Sequence, residues 1–145
     1  MAEADGIGKR GETQMDPAAR MQQELPPLPR WLGLTVTVVE PDRVVAELTV
    51  REELCTSGSI MHGGAVMAFA DTVGAIGTIV NLREGQGTTT LESKTNFFAG
   101  SPVGMKLIAE ATPLHRGRRT QVWETRISNE QGRLVAKVTQ TQMVL

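Results

Sequence analysis

The chain has 145 residues, a formal net charge of −1, 3% aromatic residues with no tyrosine, and one cysteine. That length is one domain's worth and can bury a core without covalent staples. The near-neutral charge argues against a nucleic-acid binder driven by global charge, the scarcity of aromatics argues against a base-stacking surface, and a lone Cys55 rules out a disulfide within the chain and fits a reducing, cytoplasmic location.

Residues 1–15 are polar and glycine-rich, without periodicity, and are expected to form a disordered tail. Residues 1–11 carry no apolar run of the kind a signal peptide needs. The folded domain is then expected over residues 16–145. Asp16-Pro17 opens a short helix, with Asp as N-cap and Pro at the first helical position. It is expected to run to Glu24, with Pro26-Pro27 and Pro29 ending it. From Leu32 the period becomes two: Leu32, Leu34, Val36 and Val38 alternate with Gly33, Thr35 and Thr37. After the turn signal Pro41-Asp42, the alternation resumes in Val44, Ala46, Leu48 and Val50, which predicts a hairpin with one buried face. Residues 51–61 read as a loop carrying Cys55, Thr56, Ser57 and Gly58. A long helix follows from about residue 62 to 82, then a turn at Gly85 and Gly87. Four further strands are predicted over 88–98, 103–112, 120–128 and 134–144. Gly100-Ser101-Pro102, Gly117 and Asn129-Glu130-Gln131-Gly132 separate them, and the spacing predicts an antiparallel meander. A helix apolar on all sides must be wrapped, so the sheet is expected to curl around it, an α+β fold.

The chemistry concentrates in Met61-His62-Gly63-Gly64-Ala65-Val66-Met67-Ala68-Phe69-Ala70-Asp71. Asp71 is the only acidic residue from His62 to Leu82, and an acid among Ala, Val, Phe and Gly must find a partner or do chemistry. The two glycines leave open backbone N–H groups at the positive end of the helix dipole. An electrophilic mouth and a carboxylate on one element suggest hydrolysis of a carbonyl compound. The apolar run approaches the roughly 20 residues a bilayer needs. However, Asp71 sits mid-span, no aromatic belt flanks it, and strand-like sequence lies on both sides, so burial in protein is expected and no membrane partner.

Spacing adds an assembly. Nine residues of ideal helix rise about 13 Å and turn about 900°, half a turn off, so His62 and Asp71 of one chain point to opposite sides. Two chains packed helix against helix would bring the glycine mouth of one to Asp71 of the other. Gly64, Ala68, Gly74, Ala75 and Gly77 would allow the close approach. A homodimer, or a dimer of dimers, with shared sites is the expectation.

Gly58, His62-Gly63-Gly64 and an acid nine positions after the histidine resemble the hotdog-fold acyl-CoA thioesterases of the 4-hydroxybenzoyl-CoA thioesterase superfamily. Within it the chain is most similar to the phenylacetate-degradation (PaaI-like) type and to the aryl and 1,4-dihydroxy-2-naphthoyl-CoA thioesterases. The resemblance continues through Asn96-Phe97, Ser101-Pro102 and the stretch from Pro113 to Glu124, and covers roughly residues 32–145. It implies a curved antiparallel sheet around one central helix, an acyl-CoA substrate, and no cofactor, coenzyme A being part of the substrate. Two positions depart from the family. Thr56 stands where many members have Asn or Gln six residues before the histidine, and Ala75 where many have Ser or Thr four residues after the acid.

The mechanism this implies gives each residue a role. The amide of Gly63 or Gly64 polarises the thioester carbonyl, and His62 positions that mouth or hydrogen-bonds the substrate. Asp71 of a second copy activates water or attacks to give an anhydride, and Thr56 helps hold the water or carbonyl. Arg116, Arg118 and Arg119 around Gly117 form either a clamp on the coenzyme A phosphates or a solvated hairpin end. In the resembled family this segment lies near the nucleotide. Trp123 and Phe97 read as core residues that also line an acyl pocket. Blander readings exist: His62 as a helix cap, Asp71 as a buried acid tied to a backbone N–H, Gly63-Gly64 as a packing device. Cys55 with His62 invites a cysteine-hydrolase reading, but nothing near it marks an activated thiol. Two histidines and one cysteine without tight ligand spacing give no expected metal site. An acyl-CoA dehydratase or hydratase, and a non-catalytic acyl-CoA-binding domain, are the competing functions on the same fold.

Overall fold

The computed structural model of the chain describes residues 14–145. The tail expected over residues 1–15 therefore lies, but for its last two residues, outside the described residues. Helix α1 (Pro17–Gln23) starts where the sequence places it, with the Asp16 carboxylate accepting from the Ala19 N–H. The prolines that follow do not simply end it. They start a second helix, α2 (Pro27–Leu32), because Pro27 occupies the first helical position, where its missing N–H costs nothing. Leu32 is thus the last residue of a helix rather than the first of a strand, and Gly33, at φ 81°, closes α2 in the left-handed conformation.

Strands β1 (Thr35–Glu40) and β2 (Arg43–Thr49) form the expected hairpin, with a bulge between Val36 and Val38. The 51–61 segment is more ordered than a loop. It contains one 3-10 turn, Glu52–Leu54, and a miniature hairpin of β3 (Cys55–Thr56) and β4 (Ile60–Met61). Helix α3 (Gly63–Ile79) follows, then β5 (Thr88–Phe97), β6 (Lys106–Arg116), β7 (Thr120–Asn129) and β8 (Leu134–Val144).

Six strands make one antiparallel sheet in the order β1-β2-β6-β7-β8-β5. Only β6, β7 and β8 form the predicted meander. The first strand of the expected run, β5, is carried to the far edge beside β8, while β6 returns to pair with β2. Its composition explains the placement. The β5 residues facing α3 include Thr88, Thr90, Ser93 and Thr95, too polar for a central strand, whereas β2 and β6 offer Val44, Ala46, Leu48, Leu107, Ala109 and Ala111, all buried.

Helix α3 lies across that face and buries Val66, Phe69, Ala70, Val73 and Ile76. Gly74 and Gly77 turn toward the sheet. A Cβ on Gly77 would stand 2.8 Å from the ring of the fully buried Trp123. These two glycines admit the chain's own sheet, not a second helix as expected from the sequence. Nor is the helix wrapped on every side. Gly64, Met67, Ala68, Asp71, Thr72, Ala75 and Ile79 form a partly or fully exposed stripe, of which α1 and α2 cover one flank. Those helices are fixed by polar contacts. Gln22 Oε1 accepts from the Val36 N–H at 2.7 Å, and Arg51 donates to the Leu32 carbonyl while lying over the Trp31 ring. No helix among the described residues is long and apolar enough to cross a membrane.

Candidate active site

The mouth of α3 is held by its flanks. The Met61 N–H donates to the Ser101 carbonyl and the His62 N–H to the Leu54 carbonyl, both at 2.8 Å. The β3–β4 turn needs left-handed backbone at Gly58 (φ 81°), which only glycine adopts freely. His62 is the N-cap, and its Nδ1 accepts the Gly64 N–H at 2.8 Å. A neutral ring in this pose carries its proton on Nε2. The amides of Ala65 and Val66 donate to the His62 carbonyl at 2.9 and 3.1 Å. Of the two glycine amides offered by the sequence, Gly64 is therefore taken by the cap, and Gly63 alone has no acceptor among the described residues. His62 is thus the helix cap that one reading of the sequence made it.

Gly63 and Thr56 line one cleft, with Ile60, Phe97, Phe98 and Val135. Phe97 is not a core residue, since it lies 53% exposed near the end of the edge strand. Its ring covers Gly63 so closely that a Cβ there would sit 3.2 Å from Cζ. Trp123 is in the core, as expected, with its indole N–H donating to Gln121 Oε1. His62 faces a different cleft, beside Trp31, Cys55 and Ala68. The Cys55 thiol donates to the Arg51 carbonyl at 3.4 Å, which is a structural contact.

Asp71 sits half-buried on the open stripe of α3. Its Oδ1 accepts from Thr90 Oγ1 at 2.8 Å and from Gln140 Nε2 at 3.2 Å. Gln140 also donates to the Asp71 backbone carbonyl, at 3.2 Å. Thr90 is itself held by Gln142 Nε2 at 2.7 Å, and Gln142 Oε1 accepts from Thr88 Oγ1 at 3.0 Å. Nothing among the described residues donates to Oδ2. The carboxylate is thus fixed through one oxygen, and the other is available for chemistry. It borders an apolar cleft of about 290 Å³ lined by Leu25, Pro29, Ala75 and Ile79. Thr90, Gln140 and Gln142 are the neighbours that hold Asp71, and sequence reasoning missed them. The available signal was two glutamines in the buried phase of β8, in line with Ala136 and Val138.

A fourth cleft, of about 400 Å³, lies at the β6–β7 hairpin end and is lined by Arg116, Gly117 and Arg118 together with Asn81, Arg83 and Gln121. Arg116 is fixed there, donating to the Pro41 carbonyl at 2.8 Å and to Asn81 Oδ1 at 3.3 Å. Gly117 makes the bend, its N–H donating to the Thr120 carbonyl at 2.8 Å. Arg119 does not line this cleft; its carbonyl accepts from Val144, and Arg83 joins the other two arginines in its stead. Within one chain, then, Gly63 with Thr56, His62, Asp71, and the arginines lie in four separate clefts.

Comparison with known proteins bears on what this arrangement is for. The model of the family described as the thioesterase superfamily matches residues 58–136. The proofreading thioesterase EntH of Klebsiella pneumoniae is 33% identical over 103 residues, covering 70% of this chain and 74% of that one. The 1,4-dihydroxy-2-naphthoyl-CoA hydrolase of Listeria monocytogenes is 29% identical over 104 residues, covering 72% and 84%. Among solved structures, a thioesterase of Haemophilus influenzae matches with a TM-score of 0.83 at 26% identity, covering 91% of this chain and 92% of that one. The match takes in all of α3 with its glycine mouth and its acid, and on that ground the chain belongs to the thioesterase superfamily, as a hotdog-fold acyl thioester hydrolase.

Proposed function

We propose that this hydrolase cleaves acyl-CoA at a site completed by two copies of the chain, with the Gly63 amide of one copy and the Asp71 carboxylate of the other around the same thioester. The observation that carries the reading is the separation of those two groups into different clefts of one chain, each lacking what the other has. Two features favour pairing. Strand β5 is a ten-residue sheet edge with Leu91 55% exposed, and long uncovered edges recruit another strand. Beside it, the open stripe of α3 offers the small residues Gly64, Ala68 and Ala75, which permit close approach.

In this arrangement the thioester carbonyl oxygen accepts the Gly63 N–H at the positive end of α3, where negative charge develops as the carbon becomes tetrahedral. Asp71, steadied at Oδ1 by Thr90 and Gln140, uses Oδ2 to take a proton from the attacking water, or to attack the carbonyl itself. Collapse of the intermediate breaks the C–S bond, and the coenzyme A thiolate leaves, taking up the proton; on the direct-attack route, water then hydrolyses the Asp71 anhydride to release the acid. Thr56, which lines the same cleft as Gly63, holds the carbonyl or the water in this reading. Arg83 and Arg118 take the phosphates of coenzyme A, against an Arg116 already fixed by Pro41 and Asn81.

The test is Asp71→Asn, whose Oδ1 still accepts from Thr90 and Gln140, so the fold is expected to be kept. Thiol release from a panel of acyl-CoAs should fall by about 10² to 10⁴ in kcat, with KM little changed. Wild-type turnover by the folded variant would end the assignment.

A further inference from the structure

We infer that Gln140 and Gly74 form a positioning pair for Asp71, with the glutamine retained for activity at the expense of stability. The inference rests on the reading of Asp71 as the reacting carboxylate.

Gln140 is fully buried on β8, in the phase of the strand shared with Ala136, Val138 and Gln142. An apolar residue would serve the core better there. Its Nε2 reaches two acceptors on one residue, the backbone carbonyl and Oδ1 of Asp71, each at 3.2 Å. Its Oε1 has no hydrogen-bond partner among the described residues, although it is buried. Ser93, directly opposite on β5, likewise buries a hydroxyl without a partner among the described residues. A buried amide oxygen left unsatisfied loses its hydration and gains nothing back, so the pose is costly. Flipping the amide would not relieve it, because the oxygen would then face the two acceptors of Asp71. The amide is therefore oriented by Asp71 alone, and the cost is borne to hold that carboxylate. Proteins break local rules of this kind most often at functional sites.

Gly74 makes the pose possible. It lies three residues after Asp71 on α3, and a Cβ built on it would stand 2.5 Å from Gln140 Cδ. Any side chain at 74 would push the glutamine away from the helix and off Asp71. The second donor to Oδ1, Thr90, approaches from β5, so the carboxylate is held between two adjacent strands. Losing one of the two donors leaves it free to turn about its own χ2. Displacements of about 1 Å in reacting groups can cost about 10²-fold in rate.

The experiment compares Gln140→Met, Gly74→Ala, Gln140→Ala and the Gly74→Ala/Gln140→Ala double variant for acyl-CoA thiol release and thermal denaturation, with Asp71→Asn alongside. Gln140→Met should lower kcat by about tenfold to a hundredfold with KM unchanged, while Tm stays level or rises. Gly74→Ala should lower kcat in the wild-type background and have no further effect on kcat once Gln140→Ala has removed the side chain it displaces. A Gln140→Met protein of wild-type kcat, or Gly74→Ala costing activity equally in both backgrounds, overturns the inference. A wild-type kcat for Asp71→Asn instead overturns the assignment of the carboxylate, so the two failures are distinguishable.

Discussion

Gly63→Pro removes one hydrogen atom's worth of chemistry and little else. The residue is the first of α3, where proline's fixed φ suits the helix and its missing N–H deprives the helix of no internal bond. The residue before it, His62, has φ −62° and ψ 136°, the extended conformation that a following proline demands. The Gly63 amide has no acceptor within the described residues, so no fold contact is lost. The new Cβ meets Phe97 Cζ at 3.2 Å, and that ring is 53% exposed and free to give way. Stability should hold or rise, since replacing a residue by a compatible proline contributes about 0.4–1 kcal/mol through the unfolded chain. If Gly63 is the oxyanion donor, kcat should fall by about 10²–10³, or about 2.7–4 kcal/mol in the barrier. Gly63→Ala is the control: it adds the same Cβ but keeps the N–H, and should retain most of the activity. Thiol release from acyl-CoA measures the rate, and thermal denaturation measures the fold. A Gly63→Pro protein as stable as wild type that turns over as fast as Gly63→Ala would refute the role of this amide.

Gly77→Ala should lower stability by about 1–3 kcal/mol, less the gain in helix propensity, because its Cβ would meet the buried Trp123 ring at 2.8 Å; calorimetric Tm checks it. Arg118→Ala, or Arg83→Ala, should raise KM for an acyl-CoA while leaving KM for the matching acyl-pantetheine and kcat for both unchanged, as steady-state kinetics would reveal. The Lys106 ammonium is held above its usual 10.5 chiefly by its hydrogen bond to Glu47, so what the pair adds is present at neutral pH and is lost only as pH rises through that raised value. Both side chains are substantially exposed, and Lys106→Met should leave the neutral-pH Tm nearly unchanged.

What was legible in the sequence was what local physics dictates. Asp16-Pro17 could only open a helix, and Val44, Ala46 and Leu48 could only be one face of a strand. His62 and Asp71 line different clefts, but not on opposite sides as the nine-residue interval suggests: His62 is the N-cap ahead of α3, and both clefts border the one open stripe that carries Gly64, Ala68 and Asp71. Long-range pairing was harder. Segment spacing suggested that β5 would lie beside β6, but strand neighbours are chosen by which faces can be buried. The Thr- and Ser-rich inner face of β5 was the clue to an edge strand. The prolines before Leu32 look like terminators in the sequence because proline breaks helix interiors, although Pro27 sits where it starts one. The partners of Asp71 were invisible for a similar reason. Thr90 and Gln140 are far from it along the chain and reach it only through the register of β5 with β8. The choice between the two glycine amides turned on which way one imidazole nitrogen points, a detail no spacing encodes.

Mixing two inactive variants tests the two-copy site most directly. Gly63→Pro and Asp71→Asn chains are combined in equal amounts, exchanged through mild denaturant and returned to native conditions. If each site takes its amide from one copy and its carboxylate from the other, half of the dimers are mixed and each mixed dimer regains one intact site. Activity should then recover to about a quarter of wild type. A mixture that exchanges subunits yet stays at the mean of its two parents would place both groups in a single chain and contradict the account.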